Sequence, residues 1–376
     1  MANTMELRVL NTSFADIGVI DVFDSLIWKD RFTGYGDFEV AAASDTGIIN
    51  DVNSGPYLKL AGSDHFMIVE DLNIKWEVET GGKVTVKGRS GETILERRII
   101  WNKTLLTGNF QNGIQQLLNE NAISPTDTTR TISRLEFEPS TDPIFVGDTA
   151  LTVERIFLGE TLYAAITALC LSKNVGYKIT LTPEGKLRFK LYAGTDRSYG
   201  QTVNPYVVFS PNFDNLLNSD YNANGGFLKT VALVVGQGEG NEIVNKIVTT
   251  TGGPGTDLDR REMYVDGKSM EKLVPEGTIS DTEYLTRNGT RGTVFVAQME
   301  QIGQEELSKN VISQTFEGEL DTASDTTYRY NRDFFIGDIV QTADNYGHEG
   351  KSQVTEVIHS EDINGTKLYP TFTTIA

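Results

Sequence analysis

Short runs of β-branched and aromatic residues, broken by turn chemistry at close intervals, fill the first hundred residues and limit what the chain can fold into. Residues 58–60, 66–70, 74–78 and 83–87 are such runs, and the last two alternate apolar and polar side chains with period two. Gly81-Gly82 stands between them and suits a hairpin turn. Asn53-Ser54-Gly55-Pro56 and Ala61-Gly62-Ser63-Asp64 are turn sequences of the usual kind. Several strands with turns at short, regular spacing point to a barrel or a sandwich.

The middle of the chain is mixed. Residues 109–120 have helical spacing, with Phe110, Ile114, Leu117 and Leu118 on one side. In residues 160–173, Leu162, Ala165, Ile166, Leu169 and Cys170 fall at i, i+3, i+4, i+7 and i+8, the face of a buried helix. Residues 177–181 and 187–191 flank Pro183-Glu184-Gly185 and read as a hairpin. Strand character returns at 230–235 and 242–250. A second helix is expected over 294–307, with Phe295, Met299 and Ile302 aligned, and strands at 311–320, 339–342, 353–359 and 368–372. No solenoid-type repeat is present. Both ends are β-rich with helices between them. The expected architecture is mainly β with α/β insertions: a β-barrel over residues 1–100, an α/β insertion over 101–228, and a second β-barrel over 229–376 with a helix near 294–308.

Composition narrows the function classes. Of 376 residues, 39% are apolar and 23% charged, as in globular proteins. The 33 Lys+Arg against 52 Asp+Glu leave a net charge of −19. That balance disfavours wrapping a phosphate backbone, since such affinity comes from cationic side chains releasing counterions. No run approaches the roughly 20 apolar residues of a membrane-spanning helix. The N-terminal residues lack the basic and apolar regions of a signal peptide, so synthesis in the cytoplasm is expected. Cys170 is the sole cysteine and His65, His348 and His359 the only histidines, so no disulfide framework or cysteine-rich metal site is expected.

Each hint of chemistry has a plainer reading. Gly236-Gln237-Gly238-Glu239-Gly240 follows a strand as a dinucleotide loop does, but a strand-like segment comes next rather than the helix that would hold pyrophosphate. A strand connection is the expectation, with no cofactor. Acidic clusters at 16–24, 257–259 and 361–362 contain paired carboxylates of the kind glycosidases use. In so acidic a chain a solvated surface accounts for them. Residues 344–349 lack the spacing of a calcium loop and read as a polar hairpin. His65 at a strand start is read as structural or exposed, and Cys170 as a buried helix residue. No catalytic or metal-binding residue is expected.

Four ordered segments carry a family resemblance. The first is 25–32 followed by 35–40, containing Trp28, Arg31, Phe32, Gly36 and Phe38. The second is 90–100, containing Arg97 and Arg98. The third is the 235–240 loop, with Gly236 and Gly238, and Arg260 some twenty residues on. The fourth is 330–340, with Asp333, Gly337 and Asp338, ending in 354–357 and Gly365, Pro370, Thr371 and Phe372. Together they resemble the tail-hub (tail-tip, baseplate-hub) proteins of long-tailed phages that infect Gram-positive bacteria.

The resemblance implies two related β-barrel domains of the baseplate-hub type, three copies forming a ring with pseudo-sixfold symmetry. It implies a place at the virion tail tip, and contacts to the distal tail protein ring, the tape measure protein and a tip fibre or receptor-binding protein. DNA would pass through the lumen without specific binding, and an acidic lumen would repel its phosphates. Read as residues, Trp28, Phe32 and Phe38 are strand-packing anchors. Gly36-Asp37 and Gly337-Asp338 are turns that set register. Arg97 and Arg98 fit an inter-subunit ion pair or an exposed one. Many such hubs continue into long C-terminal modules, whereas this sequence ends at Ala376. The expectation is therefore a structural protein rather than an enzyme. A saccharide-binding protein using Trp28, Trp76 or Trp101, a carboxylate-based wall hydrolase, and the hub of a related injection device are the alternatives.

Overall fold

The computed structural model describes residues 5–44, 46–79, 81–236, 245–267, 290–320 and 328–375. Its first strands are β1 (Leu7–Leu10), β2 (Asp16–Ile20), β3 (Ser25–Arg31), β4 (Asp37–Ala43), β5 (Tyr57–Leu60), β6 (Phe66–Glu77) and β7 (Gly81–Ser90). The middle carries β8 (Thr104–Asn109), β9 (Leu135–Glu138), β10 (Thr152–Phe157), β11 (Gly176–Leu181), β12 (Leu187–Tyr192), β13 (Val208–Phe209) and β14 (Asp220–Asn224). Then come β15 (Val231–Val235), β16 (Asn245–Thr249), β17 (Glu262–Asp266), β18 (Ser313–Glu317), β19 (Ile339–Ala343), β20 (Glu349–Asp362) and β21 (Gly365–Thr374).

The molecule is mainly β, and its two β-rich ends share one sheet. The strand order is β14-β18-β21-β20-β3-β4-β7-β6-β5-β1-β2, with β19 also on β20 and β13 on β19. No pairing among the described residues joins the two ends of this path into a closed barrel. The link between N- and C-terminal strands is the antiparallel pair β3–β20, with Arg31 opposite Glu356 and Leu26 opposite Glu361. Alternation along β3 buries Leu26, Trp28 and Asp30 and leaves Ile27 more exposed.

Two separate apolar cores lie on the two halves of this sheet. One gathers Leu26, Trp28, Phe38, Val40, Leu58, Met67, Val84 and Val86 from the first seven strands. The other gathers Phe209, Phe316, Phe334, Val340, Val354, Val357 and Phe372. Each of these large side chains contributes about 1.5–3 kcal/mol relative to exposure. A third core underlies the middle of the chain, where the helix Leu162–Ser172 buries the five residues of its expected face. Thr161 caps that helix by accepting from the Ala164 amide at 3.1 Å. The helix Phe110–Leu118 runs on into a wider turn, Asn119–Ile123. A fourth core packs Met299, Ile302 and Leu307 of the long helix Thr290–Lys309 against Val234, Val248 and Val265 of the sheet β16-β15-β17.

Local differences from the sequence reading have simple causes. The runs at 66–70 and 74–78 are one strand, β6, bent by a bulge between Val69 and Asp71. The alternation restarts at the bulge, so a continuous strand looks like two. Gly81 and Gly82 begin β7, pairing with Glu77 and Trp76, and are not the hairpin tip. The strand expected over 242–250 is Asn245–Thr249, the residues before it lying outside those described. The hairpin β11–β12 and the polar 344–348 connection between β19 and β20 stand as expected.

Candidate functional site, a buried seam between the two ends of the chain

The pairing of β3 with β20 brings a set of charged groups into the interior. Asp30 lies on the core-facing side of β3 and is fully buried. Its Oδ1 accepts from Trp28 Nε1 at 3.1 Å and from Ser63 Oγ at 2.8 Å. Its Oδ2 accepts from the Tyr330 hydroxyl at 3.4 Å. His359 of β20 places Nε2 3.7 Å from the same oxygen, beyond hydrogen-bonding distance.

A second buried pair lies beside it. His65 Nδ1 is 3.2 Å from Glu92 Oε1. That oxygen also accepts from the Ile179 amide of β11 at 2.7 Å. Ser90 Oγ donates to Glu92 Oε2 and accepts from the Gly36 amide at 2.8 Å. The His65 amide donates to Ser63 Oγ at 3.1 Å, which ties the two carboxylates into one network. Residues from the first strands and the middle of the chain therefore share one set of buried hydrogen bonds, which Tyr330 joins through Asp30 and beside which His359 of β20 packs.

Its electrostatics are self-consistent. Burial alone would lower the His65 pKa, but the Glu92 carboxylate, with Asp30 beyond it, raises it to about 9. Burial would raise Glu92, yet His65, Ser90 and the Ile179 amide hold it below its ordinary value. Burial likewise opposes ionisation of Asp30, and His359, His65 and Ser63 outweigh it. The site is an ionised His65–Glu92 pair with a second carboxylate near, sealed from solvent. A buried network whose members satisfy one another holds the segments that contribute them in one geometry.

Next to the network, Phe32 packs where three segments meet. It is 3% exposed and makes an edge contact with Tyr192, ring centroids 5.4 Å apart. A side chain on Gly176 or Gly337 would stand 2.5 Å from the Phe32 ring, and Gly337 has φ +91°. Asp338 accepts from the Thr195 amide at 2.8 Å, Arg197 Nε at 2.7 Å and the Phe335 amide at 3.0 Å. At the rim of the seam, Arg31 bridges Glu356 at 2.5 Å and Asp37 at 2.7 Å and donates to the Tyr35 carbonyl.

The sequence-stated residues divide accordingly. Trp28, Arg31, Phe32, Gly36, Phe38, Gly337 and Asp338 come together at the seam, with Phe38 against Trp28 at 5.9 Å between centroids. Asp333 lies in the same loop as Gly337, accepting from the Arg329 amide at 2.7 Å and pairing with Arg332. Arg97 is exposed, while Arg98 turns inward and donates to the Arg130 carbonyl at 2.6 Å. Gly236 is buried at the end of β15, Gly238 lies outside the described residues, and Arg260 forms an exposed pair with Glu262. Trp28 is fully buried, while Trp76 and Trp101 are exposed. Cys170 is buried, and burial pushes its thiol pKa far up.

Sequence reading missed Asp30, Ser63, His65, Glu92 and His359 as a group. One signal was present: the parity of Leu26 and Trp28 places Asp30 on the core face. Nothing local marks His65, because Glu92 and Ile179, its enclosing partners, are distant in sequence.

This fold is shared with phage tail proteins of known structure. It matches the tail protein from Neisseria meningitidis MC58 with a TM-score of 0.56 at 12% identity, over 100% of this chain and 97% of that one. It matches the 43 kDa tail protein of prophage MuSo2 from Shewanella oneidensis with a TM-score of 0.57 at 11% identity, over 98% and 97%. It matches the prophage tail protein gp18 from Listeria monocytogenes EGD-e with a TM-score of 0.52 at 13% identity, over 98% and 94%. At these identities the likeness is one of fold. The sequence model of the siphovirus ReqiPepy6 Gp37-like proteins matches residues 6–372, and the chain belongs to that family. The resemblance read from the four ordered segments thus led to a siphophage tail family. A search of curated protein sequences finds no match. No helix among the described residues is long and apolar enough to cross a membrane.

Proposed function

We propose that the chain is the structural hub at the distal end of a siphophage tail tube. In this reading three copies form a ring. The two barrel-like units, residues 1–100 and 229–376, the second completed by Phe209 and the strands β13 and β14 from the 101–228 insertion, present six similar edges to a sixfold ring above and a threefold tip below. The observation that carries the reading is the pair of apolar cores on one continuous sheet, joined through β3–β20. Two such units held rigidly in one chain suit a part that must match sixfold to threefold symmetry. The motif residues act as structural groups: Trp28, Phe32, Phe38, Gly36, Gly337 and Asp338 hold the joint between the units.

The proposed partners are the distal tail protein ring, the tape measure protein and a tip fibre or receptor-binding protein. DNA passes through the lumen without being gripped, which the net charge of −19 favours. Cryo-electron microscopy of the purified protein with the neighbouring tail-ring protein, its mass checked by light scattering, tests the reading. A threefold ring with a channel, seated on a sixfold partner, is the expected result. A chain that stays monomeric with and without that partner would rule the hub reading out.

A further inference from the structure

Among the described residues, the outer half of β6 is open along one edge. β5 pairs only with residues 66–68 of it, and the last main-chain bond on that side runs from the Val69 amide to the Pro56 carbonyl. Residues 71–77 pair with β7 alone among the described strands. Native proteins cover edges of this length, because their unpaired backbone groups recruit other strands. The side chains sort by parity. Leu72 and Ile74 stand opposite Val86 and Val84, which are buried in the N-terminal core. Leu72 packs on that core, but Ile74 is 52% exposed and Trp76, on the same face, 72%. The other face carries Asp71, Asn73 and Lys75. Lys75 stands directly opposite Lys83, a like-charge pair that costs stability, and neither has a salt bridge among the described residues.

We propose that two copies of the free chain pair antiparallel through this edge, about a twofold axis at Asn73. Charge complementarity selects both the partner and the register. The order Asp71, Asn73, Lys75 is its own complement when reversed, so Asp71 of each copy meets Lys75 of the other and the two Asn73 residues face each other. On the opposite face Leu72 meets Ile74 twice, and the apolar stripe of the core continues across the joint. Each incoming Asp71 also offsets the Lys75–Lys83 repulsion. Centring the pair on Ile74 instead would set Asp71 against Glu77, and centring it on Leu72 would leave Lys75 opposite Val69. Each copy carries a charge of −19, but that repulsion is screened beyond about 8 Å at physiological salt. The joint is twofold and does not depend on the ring proposed above. It covers an aggregation-prone edge in the free chain.

The test is light scattering of the full chain at about 100 µM, the range for a weak, small interface, together with cysteine cross-linking. The protein should be a dimer. Asn73→Cys should give a disulfide-linked dimer under mild oxidation, well above the level from Tyr346→Cys, an exposed control; buried Cys170 should not react. Lys75→Glu should lower the association constant about tenfold or more, and Asp71→Lys combined with Lys75→Asp should restore it. A monomeric parent chain, cross-linking no better than the control, or a dimer indifferent to Lys75→Glu would overturn the proposal. Ring formation on the tail-ring partner by Lys75→Glu is scored separately, so loss of the dimer and loss of the hub role are distinguishable.

Discussion

Glu92 and His65 form an ion pair with essentially no solvent around it, and such a pair is sensitive to removal of either member. Glu92→Ala leaves an uncompensated buried imidazolium and should cost about 3–5 kcal/mol in chemical denaturation. The raised His65 pKa also sets a pH dependence. A group whose folded pKa lies above its unfolded value stabilises fully below the unfolded pKa and loses that contribution as pH rises through the folded one. For His65 the contribution is about 3 kcal/mol, present below pH 6.5 and lost by about pH 9. Asp30 and Glu92 are depressed, so their contribution is present above their unfolded values and is lost in acid. Thermal melts should therefore show a fall in Tm between pH 6.5 and 9 in the parent chain, and a much flatter profile in His65→Gln. A neighbouring residue tests packing rather than charge. Gly337→Ala adds a methyl against Phe32 at a left-handed backbone position and should cost about 2 kcal/mol or more. Adding Phe32→Ala should remove the steric part of that penalty and leave the backbone part.

At the scale of elements, β20 is paired on both sides, with β3 and β21, whereas outer β6 is paired on one. Hydrogen exchange should find the β3–β20 amides among the slowest, exchanging together, and residues 71–77 of β6 much faster in any unassociated chain. Ile358→Pro, in the centre of β20, should prevent folding of the sheet rather than weaken it locally. Elements of this sort were legible in the sequence in proportion to how local their cause is. The helix Leu162–Ser172 announced itself because its buried face repeats every turn, and β11–β12 because Pro183 and Gly185 shape one short connection. The β3–β20 pair left no such trace, since register between strands over three hundred residues apart is decided by what each buries. For the same reason Asp30 and Glu92 could be quoted within motif segments without their meeting being visible.

The whole molecule depends on that pair. Removing residues 349–376 should unfold the N-terminal strands as well as the C-terminal ones, because β3 loses the strand paired to one of its sides and Asp30 loses the screen of β20. Circular dichroism and urea titration of that truncation should show no cooperative transition, while the full chain shows one. Independent folding of the remaining fragment would mean that the seam only decorates two self-sufficient halves.

The same pairing sets a timetable. About 320 residues separate the end of β3 from the start of β20. At ribosomal speeds of about 5–20 residues per second, β3 waits roughly 15–60 s for the strand that completes it. Throughout that interval the nascent chain has an unfinished sheet and a carboxylate, Asp30, with water still around it. The strands β20 and β21 therefore act as a clasp, and a chain synthesised only part of the way to them has no finished surfaces to offer for assembly.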